Sequence, residues 1–262
     1  MSGKQLRLKR IISPVDGRTV LFPLDHGVSY GPLPGLECID RAVDLGIRAG
    51  ADALVLHKGM LRCLETAVSP LPGIIMHLSA STCIGPAICH KVLAGSVEEA
   101  VRLGADAVSV QINLGDPQEP EMLRDLGRIG QSCSEWQIPL LVMAYAGGKQ
   151  HRDCGPRIAH AARVAAELGA DLIKIPFPED YDLLASITSS LCVPVVVAGG
   201  VPQGDIARFL QIVEKSMEAG AGGIAAGRSV FQHADPMAVL TAIRGIVHEG
   251  ATAANNPALL TA

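Results

Sequence analysis

Aromatic residues are scarce in this sequence, which has one Trp, three Tyr and four Phe among its 262 residues. Proteins that bind single-stranded nucleic acids stack the bases on aromatic side chains, so this composition argues against that class of partner. The net charge is -4, and the chain therefore has no basic excess to attract DNA, RNA or anionic lipids. We expect neither nucleic acid nor membrane among its partners.

Charged residues are also few, at 18% of the chain, whereas hydrophobic residues make up 48% and the mean hydropathy is +0.31. A chain this apolar buries enough surface to fold, which excludes intrinsic disorder. A length of 262 residues is large for one domain but usual for an α/β barrel. The composition thus predicts one folded domain with an aliphatic core.

The sequence lacks paired cysteine motifs and long apolar runs. Its seven cysteines are scattered and contain no C-x-x-C, which argues against a disulfide framework and a structural zinc site. No apolar stretch approaches the roughly 18 residues that a membrane span needs. The basic segment at residues 1–10 is not followed by the apolar core of a signal peptide. These absences predict a cytoplasmic protein with reduced cysteines.

Short apolar runs of strand length recur along the chain, and each is followed by a longer stretch with helical spacing. The runs are continuous rather than alternating, which favours parallel strands buried on both faces. The eight runs are Thr19–Asp25, Ala53–His57, Gly73–Leu78, Ala107–Ile112, Pro139–Tyr145, Leu172–Pro176, Pro194–Ala198 and Gly223–Ala226.

A short repeat precedes every second run. It ends in Gly-Ala-Asp at residues 49–52, 103–106 and 168–171, and in Gly-Ala-Gly at 219–222. The first glycine is typical of a left-handed helix cap, and an Asp at the amino end of a barrel strand is expected to serve stability. Two βα units repeated four times predict an α/β fold, a single (β/α)8 TIM barrel over residues 1–262. An open doubly wound sheet is the alternative, but it would place G-x-G-x-x-G directly after a strand.

Polar residues concentrate at the carboxyl ends of the predicted strands. Enzymes with a TIM barrel carry their active site at this end, so we expect the functional site there. The strand ends supply Asp25, His26, His57, Lys58, His77, Ser79, Gln111, Asn113, Tyr145, Lys174, Gly199, Gly200, Gly227 and Arg228.

Lys174 stands out because it lies within the aliphatic strand segment 171–177. Burying an ammonium group costs free energy unless its pKa falls or it is paired. A desolvated lysine can attack a carbonyl carbon and form a Schiff base. The alternative is a structural ion pair inside the barrel. We favour the nucleophile.

Asp25 and Tyr145 are the candidates for proton transfer, because both end strands at the same barrel mouth. The alternatives are a helix-cap or turn role for Asp25 and a buried structural role for Tyr145. Lys58 follows another strand end, where it can contact a substrate anion or extend into solvent.

Glycines follow the last two strands, with Gly199 and Gly200 after one and Gly227 and Arg228 after the other. Barrels frequently bind phosphate through these two loops and the start of a short helix. A short helix is predicted at residues 228–233, and Arg228 can add a charge-assisted hydrogen bond. The sequence therefore predicts a phosphate site, with simple turn chemistry as the alternative.

Three histidines, His26, His57 and His77, end consecutive strands and raise the alternative of a catalytic zinc site. No nearby glutamate completes a familiar ligand pattern, and histidines at strand ends also hydrogen-bond substrates. We predict no metal and assign His26, His57 and Lys58 to substrate binding.

Six segments together resemble the archaeal-type class I aldolase family. They occur in unbroken order between Thr19 and Glu249, which makes the resemblance far more specific than any one of them. The segments are Pro23–Ser29, His57–Gly59, Gly104–Ser109, Gly169–Lys174, Pro194–Gly200 and Gly227–His233.

The resemblance implies a Schiff base on Lys174, proton transfer by Asp25 and Tyr145, sugar-phosphate binding by the glycines and Arg228, and no metal or organic cofactor. It is closest to a transaldolase-like subfamily, in which an enamine from a phosphorylated ketose attacks L-aspartate semialdehyde. The product there is a seven-carbon amino sugar acid for aromatic biosynthesis. The resemblance also implies a large homo-oligomer, often a decamer.

Three departures from the family pattern stand near the predicted site. Where the family reads Tyr-Pro-Arg-Gly, residues 145–148 read Tyr-Ala-Gly-Gly, and the Pro-Lys after the double glycine becomes Val-Pro-Gln at 201–203. Residues 177–180 read Phe-Pro-Glu-Asp in place of Tyr-Thr-Gly-Asp. These changes leave chemistry at Lys174 intact and alter the groups that fix phosphate and carboxylate.

Three other functions are compatible with these residues. A fructose-bisphosphate or related sugar-phosphate aldolase would share every catalytic residue. A metal-dependent lyase or hydrolase would depend on the three histidines. A non-catalytic barrel that binds phosphosugars would account for the missing Arg and Lys, and it would never form an imine.

Overall fold

The computed structural model describes residues 1–66, 70–147, 154–200 and 205–255. These residues contain ten strands, of which eight close into a parallel barrel. The strands are β1 (Thr19–Pro23), β2 (Ala53–Leu56), β3 (Gly73–His77), β4 (Ser79–Ala80), β5 (Val92–Leu93), β6 (Ala107–Asn113), β7 (Leu140–Tyr145), β8 (Leu172–Pro176), β9 (Val195–Ala198) and β10 (Gly223–Ala225).

Helices connect the barrel strands and cover their outer surface. They are α1 (Gly3–Ile11), α2 (His26–Tyr30), α3 (Ile39–Arg48), α4 (Val97–Arg102), α5 (Glu119–Glu135), α6 (Gly155–Glu167), α7 (Tyr181–Ser190), α8 (Ile206–Glu218), α9 (Arg228–Phe231) and α10 (Pro236–Glu249), with 3-10 turns at Lys58–Thr66 and Ala253–Asn255. Within the described ranges, no helix is long and apolar enough to cross a membrane.

All eight predicted runs are barrel strands, and the TIM-barrel prediction is confirmed. Each neighbouring pair is parallel, and β10 closes the barrel against β1. Strand β1 ends at Pro23 rather than at Asp25, because the chain then turns into helix α2, of which Asp25 is the N-cap residue. The assignment of all residues to one domain stays a prediction, since 256–262 lie outside the described residues.

Alternate residues of each barrel strand point inward and outward. The inward residues, among them Ile75, Leu141 and Leu172, form one apolar cluster inside the barrel. The outward residues, such as Ile173, pack with the helices in a second and larger cluster. Because Lys174 is two residues beyond Leu172, its side chain is directed into the barrel.

Helix α1 closes the amino-terminal end of the barrel, a feature that the sequence pattern did not predict. Its Ile11 is fully buried within the inner cluster. Nζ of Lys4 lies 2.9 Å from Oδ2 of Asp171, and Nε of Arg10 lies 2.5 Å from Oδ1 of Asp106. The basic residues of this segment thus attach the helix to carboxylates at the base of the barrel.

The repeat has the structural role that the sequence predicts. Its four helix-ending glycines have φ between 76° and 98°, a region that favours glycine. Its aspartates each accept a backbone hydrogen bond from an adjacent strand, which satisfies a donor at the base of the barrel. The pairs are Asp52 with the Val20 nitrogen at 2.6 Å, Asp106 with that of Ile74 at 2.9 Å and Asp171 with that of Leu140 at 2.9 Å.

Strands β4 and β5 form a two-stranded antiparallel ribbon after β3, which the sequence pattern did not predict. Ser79 pairs with Leu93, and Ala80 pairs with Val92. The segment between the two strands reaches the barrel mouth, where Cys89 and Lys91 line a cavity. The ribbon therefore adds side chains to the site that no barrel strand supplies.

Candidate active site

Two cavities open at the carboxyl ends of the barrel strands and meet at Lys174. The larger has a volume of about 960 Å³ and extends toward β9, β10 and α8. The smaller has a volume of about 260 Å³ and lies over β1, β2, β3 and β6. Both are lined by His26, Tyr145, Lys174 and Arg228. A nucleophile at this junction can react with ligands that enter from either side.

Lys174 lies in the middle of β8, with Met143 and Val196 as its neighbours on the adjacent strands. Its side chain is buried, with only 7% of the residue exposed. Burial lowers the pKa of its ammonium group more than the attraction of Asp25 raises it, and Arg228 lowers it further. Among the described residues, no carboxylate lies within 4.0 Å of its Nζ. This environment favours a reactive amine over a structural ion pair.

Asp25 faces two histidines at the mouth of the barrel. Its Oδ2 lies 3.8 Å from Nε2 of His77, and its Oδ1 lies 3.9 Å from Nδ1 of His26. Burial by itself would raise the pKa of Asp25, but His77, His26 and Lys174 hold it well below its ordinary value. Asp25 also occupies the N-cap position of α2, yet its side chain makes no capping hydrogen bond. The group is therefore a carboxylate directed at the site.

His57 and His77 are neutral imidazoles that contact each other edge to face, with ring centroids 5.2 Å apart. Burial lowers the pKa of His77 to about 3, and it also lowers the pKa of His57. Nδ1 of His77 lies 2.8 Å from Oγ of Ser109, which fixes the ring. Neutral imidazoles can donate or accept a hydrogen bond with a substrate.

His26 is the first residue of α2, directly after Asp25, and it lines both cavities. Burial lowers the pKa of this histidine to about 4, against the attraction of Asp25. Its Nδ1 is buried and has no hydrogen-bond partner among the described residues. In the part of the chain that the structure describes, no three His, Cys, Asp or Glu side chains are placed to hold a metal ion. The three strand-end histidines are thus not arranged as zinc ligands.

Tyr145 ends β7 opposite Asn113 of β6. The tyrosine lines both cavities. On its neighbour strand, Nε2 of Gln111 donates to Oδ1 of Asn113 at 2.9 Å, and Nδ2 of Asn113 donates to the carbonyl of Cys89 at 2.5 Å. These bonds connect the ribbon to the barrel wall beside Tyr145.

The larger cavity extends over α9, the short helix predicted from the sequence. Gly199, Gly200, Gly227 and Arg228 all line this cavity. A Cβ on Gly199 would lie 2.7 Å from Oγ of Ser229, and Gly200 has a φ of 69°, so both positions favour glycine. Within the described residues, the buried Nε of Arg228 and Oγ of Ser229 have no hydrogen-bond partner. Both groups can donate a hydrogen bond to an anion that enters the cavity.

A profile described as DeoC/LacD family aldolase matches residues 19–233. The chain belongs to this family. The predicted resemblance to class I aldolases is confirmed, and the chain is an enzyme of the aldolase type.

Two relatives match this DeoC/LacD aldolase over nearly its full length. It is 40% identical to 2-amino-4,5-dihydroxy-6-oxo-7-(phosphonooxy)heptanoate synthase of Streptomyces griseus, over 98% of this chain and 95% of the relative. It is 39% identical to 2-amino-3,7-dideoxy-D-threo-hept-6-ulosonate synthase 1 of Archaeoglobus fulgidus, over 95% of this chain and 92% of the relative.

A solved structure is also similar. It is an archaeal fructose-1,6-bisphosphate aldolase with the catalytic Lys covalently bound to the carbinolamine intermediate of the substrate. The TM-score is 0.83 at 32% identity, and the comparison covers 93% of this chain and 99% of that one.

Lys58 requires a correction, because the structure does not bring it to the site. Its Nζ lies 3.1 Å from Oε2 of Glu99, and its side chain is 47% exposed. The residue lines neither cavity. Strand β2 ends at Leu56, and the chain beyond it turns Lys58 toward α4 instead of the barrel mouth. The predicted substrate contact is thus replaced by a surface ion pair.

Three further residues of the site have contacts or positions that only the structure shows. His77, which the sequence places at a strand end and among three candidate zinc ligands, has the inward orientation of Ile75 on β3 and faces Asp25. Ser229 follows Arg228, and its Oγ is buried like the Nε of Arg228. Lys91 comes from the ribbon, for which the strand pattern held no signal.

The departures from the aldolase pattern fall partly within the described residues. Gly147, where the family pattern has Arg, lines the smaller cavity. Glu179, from the altered segment after Lys174, lines the larger one. Residues 148 and 201–203 lie outside the described residues.

Proposed function

We propose that this chain is a class I aldolase that acts as a transaldolase, with Lys174 as the Schiff-base nucleophile. It joins the enamine of a phosphorylated ketose to L-aspartate semialdehyde and forms a seven-carbon precursor of aromatic biosynthesis. The observation that carries the proposal is the buried lysine at the junction of two cavities, beside the Asp25 carboxylate.

The name of one relative describes a product with an amino acid group at one end and a phosphate group at the other. The Streptomyces griseus relative is named for a 2-amino heptanoate that carries a phosphonooxy group. An enzyme that forms such a molecule from two substrates needs a separate binding region on each side of the new carbon–carbon bond. The two cavities on either side of Lys174 meet this requirement.

The first half of the reaction forms the enamine, the carbon nucleophile that later attacks the aldehyde. The neutral amine of Lys174 attacks the ketone carbon, the carbon–nitrogen bond forms, and the former carbonyl oxygen takes a proton to give a carbinolamine. Loss of water gives an iminium ion. In a longer ketose phosphate, a donor hydroxyl then loses its proton, the neighbouring carbon–carbon bond breaks and an aldehyde leaves, so that a three-carbon enamine stays on Lys174. From dihydroxyacetone phosphate, the same enamine forms by loss of a proton from the carbon next to the iminium. We assign these proton transfers to Asp25 and Tyr145, which line the same cavity as Lys174.

The second half joins the substrates. The enamine carbon attacks the aldehyde carbon, and the aldehyde oxygen takes a proton. Water then hydrolyses the iminium ion, which releases the product and restores the amine. Since this balance needs no oxidant, reductant or Lewis acid, we propose no metal and no organic cofactor.

We assign the donor phosphate to Gly199, Gly200, Gly227 and Arg228 in the larger cavity. Support comes from the unpartnered Nε of Arg228 and Oγ of Ser229, which are buried donors that a phosphate oxygen would satisfy. His26 and His57 remain substrate contacts in this proposal, because His26 lines both cavities and His57 lines the smaller one.

Borohydride reduction tests the covalent step. With dihydroxyacetone phosphate present, peptide mass spectrometry should find the mass of the reduced adduct on Lys174. Lys174→Met should give no adduct, whereas Lys9→Met, which changes an exposed lysine, should react like the wild type. A folded wild type that forms no adduct with several ketose phosphates, or forms it on another lysine, would refute the proposal.

A fructose-bisphosphate aldolase is the second candidate, favoured by the similarity to the archaeal structure. It would use the same three catalytic residues. Cleavage of fructose 1,6-bisphosphate and condensation with L-aspartate semialdehyde, measured side by side, separate the two. Turnover that a chelator leaves unchanged would argue against a metal-dependent lyase.

We also propose that the chain forms a homo-oligomer and acts in the cytoplasm without nucleic acid or membrane partners. The decamers implied by the resemblance support an assembly of many subunits. Light scattering coupled to size-exclusion chromatography measures the mass directly, and a monomer at micromolar concentration would contradict this part.

A further inference from the structure

The smaller cavity contains a lysine that the proposed mechanism does not use. Lys91 lies directly before β5 of the ribbon. It lines this cavity together with Asp25, His57 and His77. Nothing in the chemistry at Lys174 requires a second lysine here, so its presence needs a separate explanation.

The contacts of Lys91 hold its ammonium group without neutralising it. Its Nζ donates to Oγ of Ser81 at 2.6 Å and to Oγ of Ser29 at 3.3 Å. Both partners are neutral hydroxyls, and a lysine ammonium has three N–H donors. Across the described ranges of the chain, no carboxylate lies within 4.0 Å of this Nζ. One donor and the full positive charge therefore stay available to a ligand.

Two acidic groups of the cavity attract Lys91, Asp25 more strongly and Cys89 less, and Asp25 is engaged elsewhere. It lies near His77 and His26 and is attracted to Lys174. Burial lowers the pKa of Lys91, and the attraction of Asp25 raises it. A half-buried ammonium group without a close counter-ion is stabilised when an anionic ligand enters beside it.

We propose that Lys91 binds the carboxylate of the acceptor and makes the smaller cavity selective for aldehydes that carry one. The assignment rests on the function proposed above. It divides the two substrates between the cavities. The donor phosphate lies near Gly199, Gly200 and Ser229, which line only the larger cavity, and the acceptor carboxylate lies at Lys91, which lines only the smaller one. A volume of about 260 Å³ limits the acceptor to a small molecule.

Kinetics with two aldehydes test the assignment. Lys91→Met should raise the KM for L-aspartate semialdehyde about tenfold or more, as expected for the loss of one charge-assisted hydrogen bond. The KM for propanal, which has no carboxylate, should not change, and borohydride should still trap dihydroxyacetone phosphate on Lys174. Lys91→Gln, which keeps a donor for Ser81, should behave like Lys91→Met. The matched control Lys9→Met, on α1 at the opposite end of the barrel, should match the wild type.

Three outcomes would overturn the assignment: an unchanged KM for the semialdehyde, an equal rise for propanal, or loss of the adduct in the folded Lys91 variants. The last outcome would place Lys91 in donor chemistry or in structural support. A wild type that forms no adduct would instead refute the proposed function alone.

Titration calorimetry tests the assignment of Lys91 to the carboxylate by measuring ligand binding in the absence of turnover. L-Homoserine carries the carboxylate of the semialdehyde but no reactive aldehyde, and inorganic phosphate represents the competing anion. Lys91→Met should weaken the binding of L-homoserine about tenfold or more and leave the binding of phosphate unchanged. The reverse pattern, or equal binding of L-homoserine by the wild type and both Lys91 variants, would refute a carboxylate site.

Discussion

Nε2 of His77 lies 3.8 Å from Oδ2 of Asp25 at the barrel mouth. The two residues come from β3 and from the turn after β1, and both strands pair with β2, so parallel strand pairing brings them together. Burial would raise the pKa of Asp25, and the electrostatic interactions with His77, His26 and Lys174 lower it instead, with His77 contributing most. The pair keeps a carboxylate ionised in the same cavity as Lys174, where the proposed mechanism uses a proton acceptor.

Removal of His77 should change the pH dependence of catalysis. In His77→Leu, burial still raises the pKa of Asp25, but the polar ring that lowers this pKa most is gone, so the pKa of Asp25 should rise. The acid limb of a plot of kcat/KM against pH should therefore move to higher pH. His160→Leu, at an exposed position of α6, is the control. An acid limb that stays in place would contradict this account of Asp25.

Replacement of Lys174 should separate activity from stability. Lys174→Met should lose at least about a thousandfold in kcat, as expected for removal of a nucleophile. The same variant no longer buries an ammonium group, so its free energy of unfolding should equal or exceed that of the wild type. Urea denaturation and turnover measure the two effects. A variant that is clearly less stable would indicate that Lys174 has a structural role.

The phosphate site proposed around α9 predicts an effect that depends on the phosphate of the donor. Ser229→Ala removes a buried hydroxyl that has no partner within the described residues, so it should cost little stability. The KM for dihydroxyacetone phosphate should rise about tenfold, the expected loss of one hydrogen bond to a charged group. The KM for unphosphorylated dihydroxyacetone should stay the same. Equal changes for both ketones would show that Ser229 does not contact the phosphate.

His248 predicts a pH dependence of stability at the base of the barrel. Its Nδ1 lies 2.7 Å from Oδ2 of Asp16, and its Nε2 lies 2.9 Å from Oδ2 of Asp52. The hydrogen bond to Asp52 raises the pKa of His248, burial opposes it, and Asp16 adds to the rise. Because the pKa is higher in the folded state, the proton stabilises the fold below the ordinary value of about 6.5. This stabilisation is lost as the pH rises above that value, through the folded pKa.

Urea denaturation between about pH 5.5 and pH 9 measures this effect. The free energy of unfolding of the wild type should decline over the alkaline half of the range, and His248→Asn should show a smaller decline. His160→Asn, at an exposed position, should follow the wild type. Parallel curves for all three proteins would argue against the His248 contribution.

The barrel could be predicted because its signal is local and repeated. Every barrel strand is a short apolar run, and the Gly-Ala repeat marks every second helix end. Helix α1 was missed, because its apolar residues are few and Ile11 acquires a buried place only when the barrel provides a floor for it. The ribbon of β4 and β5 was missed for a similar reason, since two residues in each strand are too few to form a pattern.

The direction of a side chain could be predicted for site residues within a strand. It could not be predicted for residues that follow the end of a strand. Lys174 and Tyr145 follow the two-residue alternation of their strands, which sets their direction. Lys58 stands two residues after β2, where the path of the chain decides the direction, and it turns to Glu99. Lys91 enters from the ribbon, far in the sequence from the strand ends that it joins.

The sequence by itself determined the barrel, the family and the buried lysine, because apolar runs, helix caps and a lysine among aliphatic residues are properties of consecutive positions. Tertiary structure alone decided which groups surround that lysine. Pairing of β1 and β3 with β2 brings Asp25 to His77, and the ribbon brings Lys91 over the same cavity. The shifts in pKa follow from burial and from charges that are distant in sequence, and no local pattern encodes such distances.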